Sequence, residues 1–260
     1  MTFELLISAL NSECDKLIQK MNIQSDAVLV NQCDEDDEKV LDKGSFKIRL
    51  ILQSQRGVGL SRNTALLSST ADIILFSDED IIYEDGYEEK VMEAFAKHPD
   101  ASVITFNINV DERRRTYYNE DVHKINYLNY GRYPAYAIAA RRKDIVDNNI
   151  AFSLLFGGGA KYSNGEDSLF LHDCLKAGLK MYSETALLGR EEYRESTWFS
   201  GYTDKFFFDR GVLYHFLYGK AAFLMGLRFL LKNKNTMLAD KPFKEAYKLL
   251  KEGIKEGRSI

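Results

Sequence analysis

The chain has 260 residues, of which 45% are hydrophobic and 28% charged, with a formal net charge of -4. That length supports one sizeable core, or one core with a small appendage, and the composition excludes a disordered chain. Charge is uneven, with 12 Lys or Arg against 6 Asp or Glu from Asp204 onward (net +6) and 23 against 33 (net -10) in residues 1–203, and neither part carries the aromatic-plus-basic motifs of a nucleic-acid module.

Residues 3–10 read as a first strand. They lack a basic segment before the short apolar stretch and include Glu4, so a signal peptide is not expected and the cytoplasm is the expected compartment. Asn11-Ser12-Glu13 opens a helix through Met21, with Leu17, Ile18 and Met21 on one face. A second apolar strand, residues 27–30, ends at Asn31-Gln32. The acidic run 34–38 reads as a solvated loop: an EF-hand starting at Asp34 would need Gly at position 39 and Glu at position 45, where Lys39 and Ser45 stand. A third strand, residues 46–53, leads into Arg56-Gly57-Val58-Gly59-Leu60-Ser61-Arg62-Asn63, and a helix starting near Ser61 runs to Ser69. Residues 71–76 are a fourth strand. This alternation implies a parallel sheet with helices on its faces and ligands beyond the carboxyl ends of the strands.

Further on, residues 83–97 read as a helix, 102–110 as a strand and 136–140 as another. Arg113-Arg114-Arg115 begins a tyrosine-rich stretch between them. Phe156-Gly157-Gly158-Gly159 makes a flexible loop, and Glu166-Asp167 opens a helix that Gly178 stops. The three cysteines, Cys14, Cys33 and Cys174, are too widely spaced for a disulfide framework or a zinc ribbon. Beyond Trp198 an apolar stripe on helical spacing includes Val212, Leu213, Leu217, Leu224, Leu227 and Leu231. Charged residues interrupt it too often for a transmembrane span. Packing or self-association, and peripheral membrane contact, are its two readings.

Three motifs carry chemistry. Asp78-Glu79-Asp80 follows the fourth strand, and two carboxylates one residue apart on a strand point the same way, where they can hold a hard divalent cation; the dull reading is a solvated turn. Gly57-Val58-Gly59-Leu60-Ser61 lies where backbone amides approach a phosphate, but the dinucleotide fingerprint fails because Arg62 replaces its third glycine. An arginine there suits a diphosphate, or is merely a surface residue of a turn. Glu166-Asp167 supplies either a general base or acids that favour a helix N-terminus. The four histidines show no ligand or triad spacing.

Taken in order, the Arg56–Asn63 motif, Asp78-Glu79-Asp80 and Gly165-Glu166-Asp167 resemble family 2 glycosyltransferases. The likeness implies an α/β, GT-A (nucleotide-diphospho-sugar transferase) fold with a mostly parallel central sheet over residues 1–203, and a helical C-terminal extension over 204–260. The segment Glu195-Ser196-Thr197-Trp198-Phe199-Ser200-Gly201-Tyr202 is similar to bacterial members that build surface polysaccharides. By this resemblance Asp78 and Asp80 form a DxD-type motif for Mn2+ or Mg2+, with Asp80 the better metal contact and Glu79 between them. Arg62 lies near the donor diphosphate, supported by Asn63. Asp167 is the catalytic base, with Glu166 orienting it or the acceptor.

Asn31-Gln32 stand where many members have two aspartates, one of which reads the nucleobase, and Glu191 or Glu192 where a metal-binding histidine often stands. The implied reaction is inverting transfer from a nucleoside-diphosphate sugar, a UDP-sugar first, to a saccharide or lipid-linked glycan. A sugar-nucleotide nucleotidyltransferase and a non-catalytic sugar-nucleotide-binding protein are the alternatives.

Overall fold

The computed structural model describes residues 1–112, 115–192, 201–238 and 241–260. Arg113, Arg114 and motif residues 195–200, Trp198 included, lie outside the described residues. From the N-terminus run β1 (Phe3–Leu10), α1 (Cys14–Lys20), β2 (Ala27–Gln32), β3 (Asp37–Asp42), β4 (Lys47–Gln53), α2 (Val58–Ser68), β5 (Ile73–Asp78), β6 (Ile81–Tyr83), α3 (Tyr87–Lys97) and β7 (Val103–Asn109). There follow β8 (His123–Ile125), β9 (Ile138–Arg141), α4 (Arg142–Asp147), α5 (Glu166–Lys176), β10 (Met181–Glu191), α6 (Asp204–Tyr218), α7 (Ala222–Lys232), α8 (Lys234–Met237) and α9 (Phe243–Gly257).

The strands form one mixed sheet in the order β3-β4-β2-β1-β5-β9-β7-β10-β6, with β8 on β10. The block β4-β2-β1-β5 is parallel throughout, as the strand-helix alternation implies. β2 is buried at every position because helices or loops cover both faces of a parallel strand, so residues 27–30 are apolar without alternation. Side-chain alternation nevertheless splits the core in two. Leu6, Val28, Ile74 and Phe76 face one way with Phe170 of α5. Leu5, Leu29, Ile73 and Leu75 face the other with Leu17 of α1 and Phe95 of α3.

The far half of the sheet is less legible. β9 is antiparallel to both β5 and β7, and β10 pairs parallel with β7 through two register shifts. Those shifts break the period-2 pattern along Met181–Glu191, which is why no strand is evident there in the sequence. The acidic run is also only partly loop. Asp37 and Glu38 begin β3, an exposed edge strand antiparallel to β4 whose charged side chains protect that edge.

Helices α6, α7 and α9 pack together, and Phe207, Val212, Leu213, Leu230 and Leu250 join the same buried cluster as Phe76 and Phe170. Among the described residues no helix is long and apolar enough to cross a membrane.

Candidate active site

Asp78 is the last residue of β5, on the sheet face that carries Leu6 and Phe76. Glu166 and Asp167 open α5, and Arg62 lies in the second turn of α2. The chain thus brings three distant segments to one guanidinium. Arg62 Nη2 donates to Asp78 Oδ1 at 2.8 Å, while Nη1 donates to Asp167 Oδ1 at 3.0 Å and to Glu166 Oε1 at 3.1 Å. The arginine is only 4% exposed and its Cζ lies 5.2 Å from the centre of the Phe152 ring. Among the described residues its buried Nε has no partner.

These contacts set the electrostatics. Burial opposes the Arg62 charge, but Asp78, Asp167 and Glu166 outweigh it and hold the group above its ordinary value. Burial, then the adjacent Glu166 carboxylate, push Asp167 up to about 8, against the lowering effect of Arg62 and of a hydrogen bond from the Ala135 amide. Asp167 keeps about a quarter of its side-chain surface exposed, at 24%, so a substrate hydroxyl has access to it. A carboxylate titrating near neutrality beside an open surface is suited to exchanging a proton.

The support is local. Asn63 Oδ1 accepts from the Phe152 amide at 2.8 Å and its Nδ2 donates to the Phe152 carbonyl at 2.9 Å, fixing the backbone of the ring that covers Arg62. Gly59 makes that approach feasible, since a Cβ there would lie 2.5 Å from the Ser153 carbonyl oxygen. Gly157, at φ 103°, leaves room for Glu166: a Cβ would lie 2.8 Å from its carboxyl carbon.

The loop leading into α5 is clamped from the C-terminal helices. Asp209 of α6, 2% exposed, accepts from the Ser163 amide at 2.9 Å, Ser163 Oγ at 2.7 Å and Lys205 Nζ at 2.6 Å. Glu256 of α9 accepts from Lys161 Nζ at 2.9 Å and the Tyr162 hydroxyl at 3.1 Å.

The other anticipated residues make contacts of their own outside the first cluster. Asp80 lies past the strand end in the turn between β5 and β6, so strand alternation does not set its direction. Its carbonyl accepts from the Glu192 amide at 2.7 Å. Glu191 pairs in register with Ile81 beside that turn, while Glu192 forms an ion pair with Lys20. Asn31 and Glu79 converge instead on the turn after β1. Asn31 Oδ1 accepts from the Ser12 amide at 3.0 Å and Nδ2 donates to the Ser12 carbonyl at 2.9 Å, while Glu79 accepts from Ser12 Oγ and from the Leu10 amide at 3.2 Å. Gln32 Oε1 accepts from the Gly57 amide at 2.7 Å. Asn31 and Ser12 form part of the wall of an open cavity of about 550 Å³ that runs from the turn after β1 along the α1 side of the sheet, together with Asp15 of α1, Leu41 of β3 and Leu50 and Leu52 of β4. That volume suits a nucleoside-sized ligand.

No motif marks Phe152, Ser12, Asp209 or Tyr136. The Tyr136 phenol is pushed up by burial first, then by Tyr117 and by the carboxylates of Glu191, Asp78 and Asp167, which marks it as a neighbour of the acidic cluster. A sequence signal existed only for its strand-like surroundings.

Fit to a divalent metal follows from the donor chemistry. Among the described residues no group of three His, Cys, Asp or Glu side chains is arranged to hold an ion. Asp78 and Asp80 are hard oxygen donors at one strand end, and Mg2+ or Mn2+ in phosphate-handling sites commonly takes one or two carboxylates, with phosphate oxygens and water completing the shell. Asp78 and Asp80 are the residues that would hold such an ion, with substrate and water rather than an all-protein cage completing its shell.

The profile of the family described as glycosyl transferase family 2 matches residues 16–154, just over half the chain. The chain belongs to glycosyltransferase family 2. No curated protein matches it in sequence. Among solved structures, this glycosyltransferase is similar to residues 1–349 of S. aureus TarS in complex with UDP-GlcNAc, with a TM-score of 0.63 and 16% identity over 92% of this chain and 74% of that one. The same fragment in complex with UDP gives 0.59 and 15% over 100% and 72%. The mannosyltransferase PcManGT from Pyrobaculum calidifontis, in complex with GDP-Man and Mn2+, gives 0.54 and 10% over 99% and 75%. At such identities the likeness is one of fold, and the fold of the family 2 enzyme is GT-A.

Proposed function

We propose that the protein is an inverting glycosyltransferase moving a sugar from a nucleoside-diphosphate sugar to a hydroxyl of a glycan acceptor in bacterial surface-polysaccharide synthesis. The observation that carries this reading is the Arg62 bridge, which joins the end of β5 to the start of α5 through Asp78, Glu166 and Asp167 at 2.8–3.1 Å. It brings a cation for the leaving group and a base for the nucleophile within one side chain of each other. The catalytic unit is residues 1–203, and residues 204–260 are an extension that braces its acidic loop.

In the proposed reaction Asp167 takes the proton of the acceptor hydroxyl as its oxygen bonds to the anomeric carbon, on the face opposite the leaving group. The bond from that carbon to the diphosphate oxygen breaks, and the electron pair leaves with the nucleoside diphosphate. Arg62 donates charge-assisted hydrogen bonds to the departing phosphate oxygens, exchanging part of its carboxylate contacts for them. Glu166 orients Asp167 through the shared guanidinium. Asp80, with Asp78, would hold Mg2+ or Mn2+, which when bound supplies Lewis-acid neutralisation of the diphosphate.

UDP is the favoured nucleotide, supported by the TarS structures with UDP-GlcNAc and UDP. Asn31 and Glu79 shape the nucleoside cavity through Ser12, while Gln32 holds the Gly57 amide at the start of α2. A base contact at Asn31 exchanges one of its two bonds to Ser12.

The test is hydrolysis and transfer by purified protein over a panel of nucleotide sugars with Mn2+ or Mg2+. Release of nucleoside diphosphate that Asp80→Ala abolishes supports the reading. Release of pyrophosphate from a nucleoside triphosphate and sugar phosphate would replace it with a nucleotidyltransferase, and binding without turnover with a non-catalytic protein.

A further inference from the structure

We infer that α7 is a lipid-contact helix that seats the protein on an anionic membrane surface. Residues 210–238 contain no Asp or Glu, and of their five Lys or Arg four are exposed (Lys220, Arg228, Lys232 and Lys234) while Arg210 packs between the Phe206 and Phe229 rings, in a chain whose net charge is -4. Within that stretch α7 divides cleanly. Its inner edge, Ala222, Gly226 and Leu230, is buried, and Gly226 sits so close to α9 that a Cβ would lie 2.3 Å from Leu250 Cδ2. Its outer edge carries Leu224 and Leu231, 69% and 59% exposed, with Leu227 between them and Arg228 and Lys232 exposed beside them. Positions 224, 227, 228 and 231 recur at spacings of three, four and seven, so they form one face.

The neighbouring helix shows that this is not how the layer meets water. The outward positions of α9 are Lys244, Glu245, Lys248, Lys251, Glu252 and Lys255, of both signs and with no large apolar side chain. Leucines flanked only by cations match an anionic lipid interface, where the apolar edge enters the headgroup boundary and the cations pair with lipid phosphates. The same face suits a second copy poorly. An isologous contact would set Arg228 and Lys232 near their own symmetry mates without a carboxylate on the helix to offset them.

The test is flotation of the full chain with vesicles of phosphatidylcholine alone and of phosphatidylcholine with phosphatidylglycerol. Binding is expected on the anionic vesicles, weakened by salt, and little on the neutral ones. Arg228→Gln with Lys232→Gln lowers the partition about 25-fold, roughly fivefold for each cation lost near the surface. Leu224→Ser with Leu231→Ser weakens it on both vesicle types, and since all four positions are exposed, melting temperature and hydrolysis of a soluble donor stay unchanged. Failure to float with anionic vesicles, or equal flotation of either double variant and the native chain, overturns the inference. So does a vesicle-free dimer in sedimentation that Leu224→Ser with Leu231→Ser converts to monomer, which would assign the face to self-association.

Discussion

Arg62, itself only 4% exposed, is one cation shared by three carboxylates, of which Asp78 and Asp167 stay partly open to solvent. Removing it leaves Asp78, Glu166 and Asp167 facing one another without compensation. Arg62→Met is therefore expected to destabilise the fold by about 3–5 kcal/mol in chemical denaturation at pH 8, with part of the loss recovered at acid pH as the carboxylates take up protons. Asp167 makes the complementary prediction. Its folded value of about 8 lies above the roughly 3.9 of an unfolded aspartate, so the folded state binds the extra proton between those values. Stability contributed by that protonation is complete below about pH 4 and declines as pH rises to about 8. Urea titrations should show Asp167→Asn losing less stability than the native chain across that window. In catalysis the sign is reversed. The proposed transfer needs Asp167 ionised as base, so kcat/KM should climb tenfold per pH unit toward about 8 and then level off, and Asp167→Asn should lower kcat by about 10²–10⁴-fold at pH 8.

At the scale of elements, the acids are held by what surrounds them. The loop before α5 hangs on Asp209 and Glu256, which belong to helices late in the chain. Asp209→Asn loses the charge that binds Lys205 and Ser163 and is expected to cost about 2 kcal/mol, with a fall in kcat larger than any change in donor KM, measured by steady-state kinetics with donor and acceptor varied. Asn63→Ala should act on the other side. Freeing the Phe152 backbone loosens the cover over Arg62, so donor KM rises while the pH profile set by Asp167 keeps its midpoint. Arg62, Asp78, Glu166 and Asp167 were legible because each stands in a motif at a strand or helix end. Phe152, Ser12 and Asp209 were not, because their roles rest on contacts across 89, 67 and 46 residues that leave no local spacing to read.

Across the whole molecule, the C-terminal helices and the sheet share one buried cluster. Phe207, Val212 and Leu213 lie with Phe76 and Phe170, so the boundary at residue 203 separates stretches of sequence and not separate cores. Gly253 of α9 touches α6 so closely that a Cβ would lie 1.9 Å from the Phe208 carbonyl oxygen. Gly253→Leu must separate the two helices. The expected result is a loss of several kcal/mol, read as a lower midpoint in urea, together with weakened activity because Asp209 and Glu256 withdraw from the acidic loop.

The sequence by itself determined the parallel block β4-β2-β1-β5, the order of the three motifs and the family, because apolar runs, strand ends and helix starts are local properties. Only the tertiary structure decided that Arg62 ties all three acids together and that Asp80 stands in a turn. It likewise decided that Asn31 and Glu79 grip Ser12, and that α6 and α9 brace the loop before Asp167. Each of these depends on which distant segments pack side by side. The pairing of β10 with β7 is a further case, because its two register shifts erase the pattern a sequence could display.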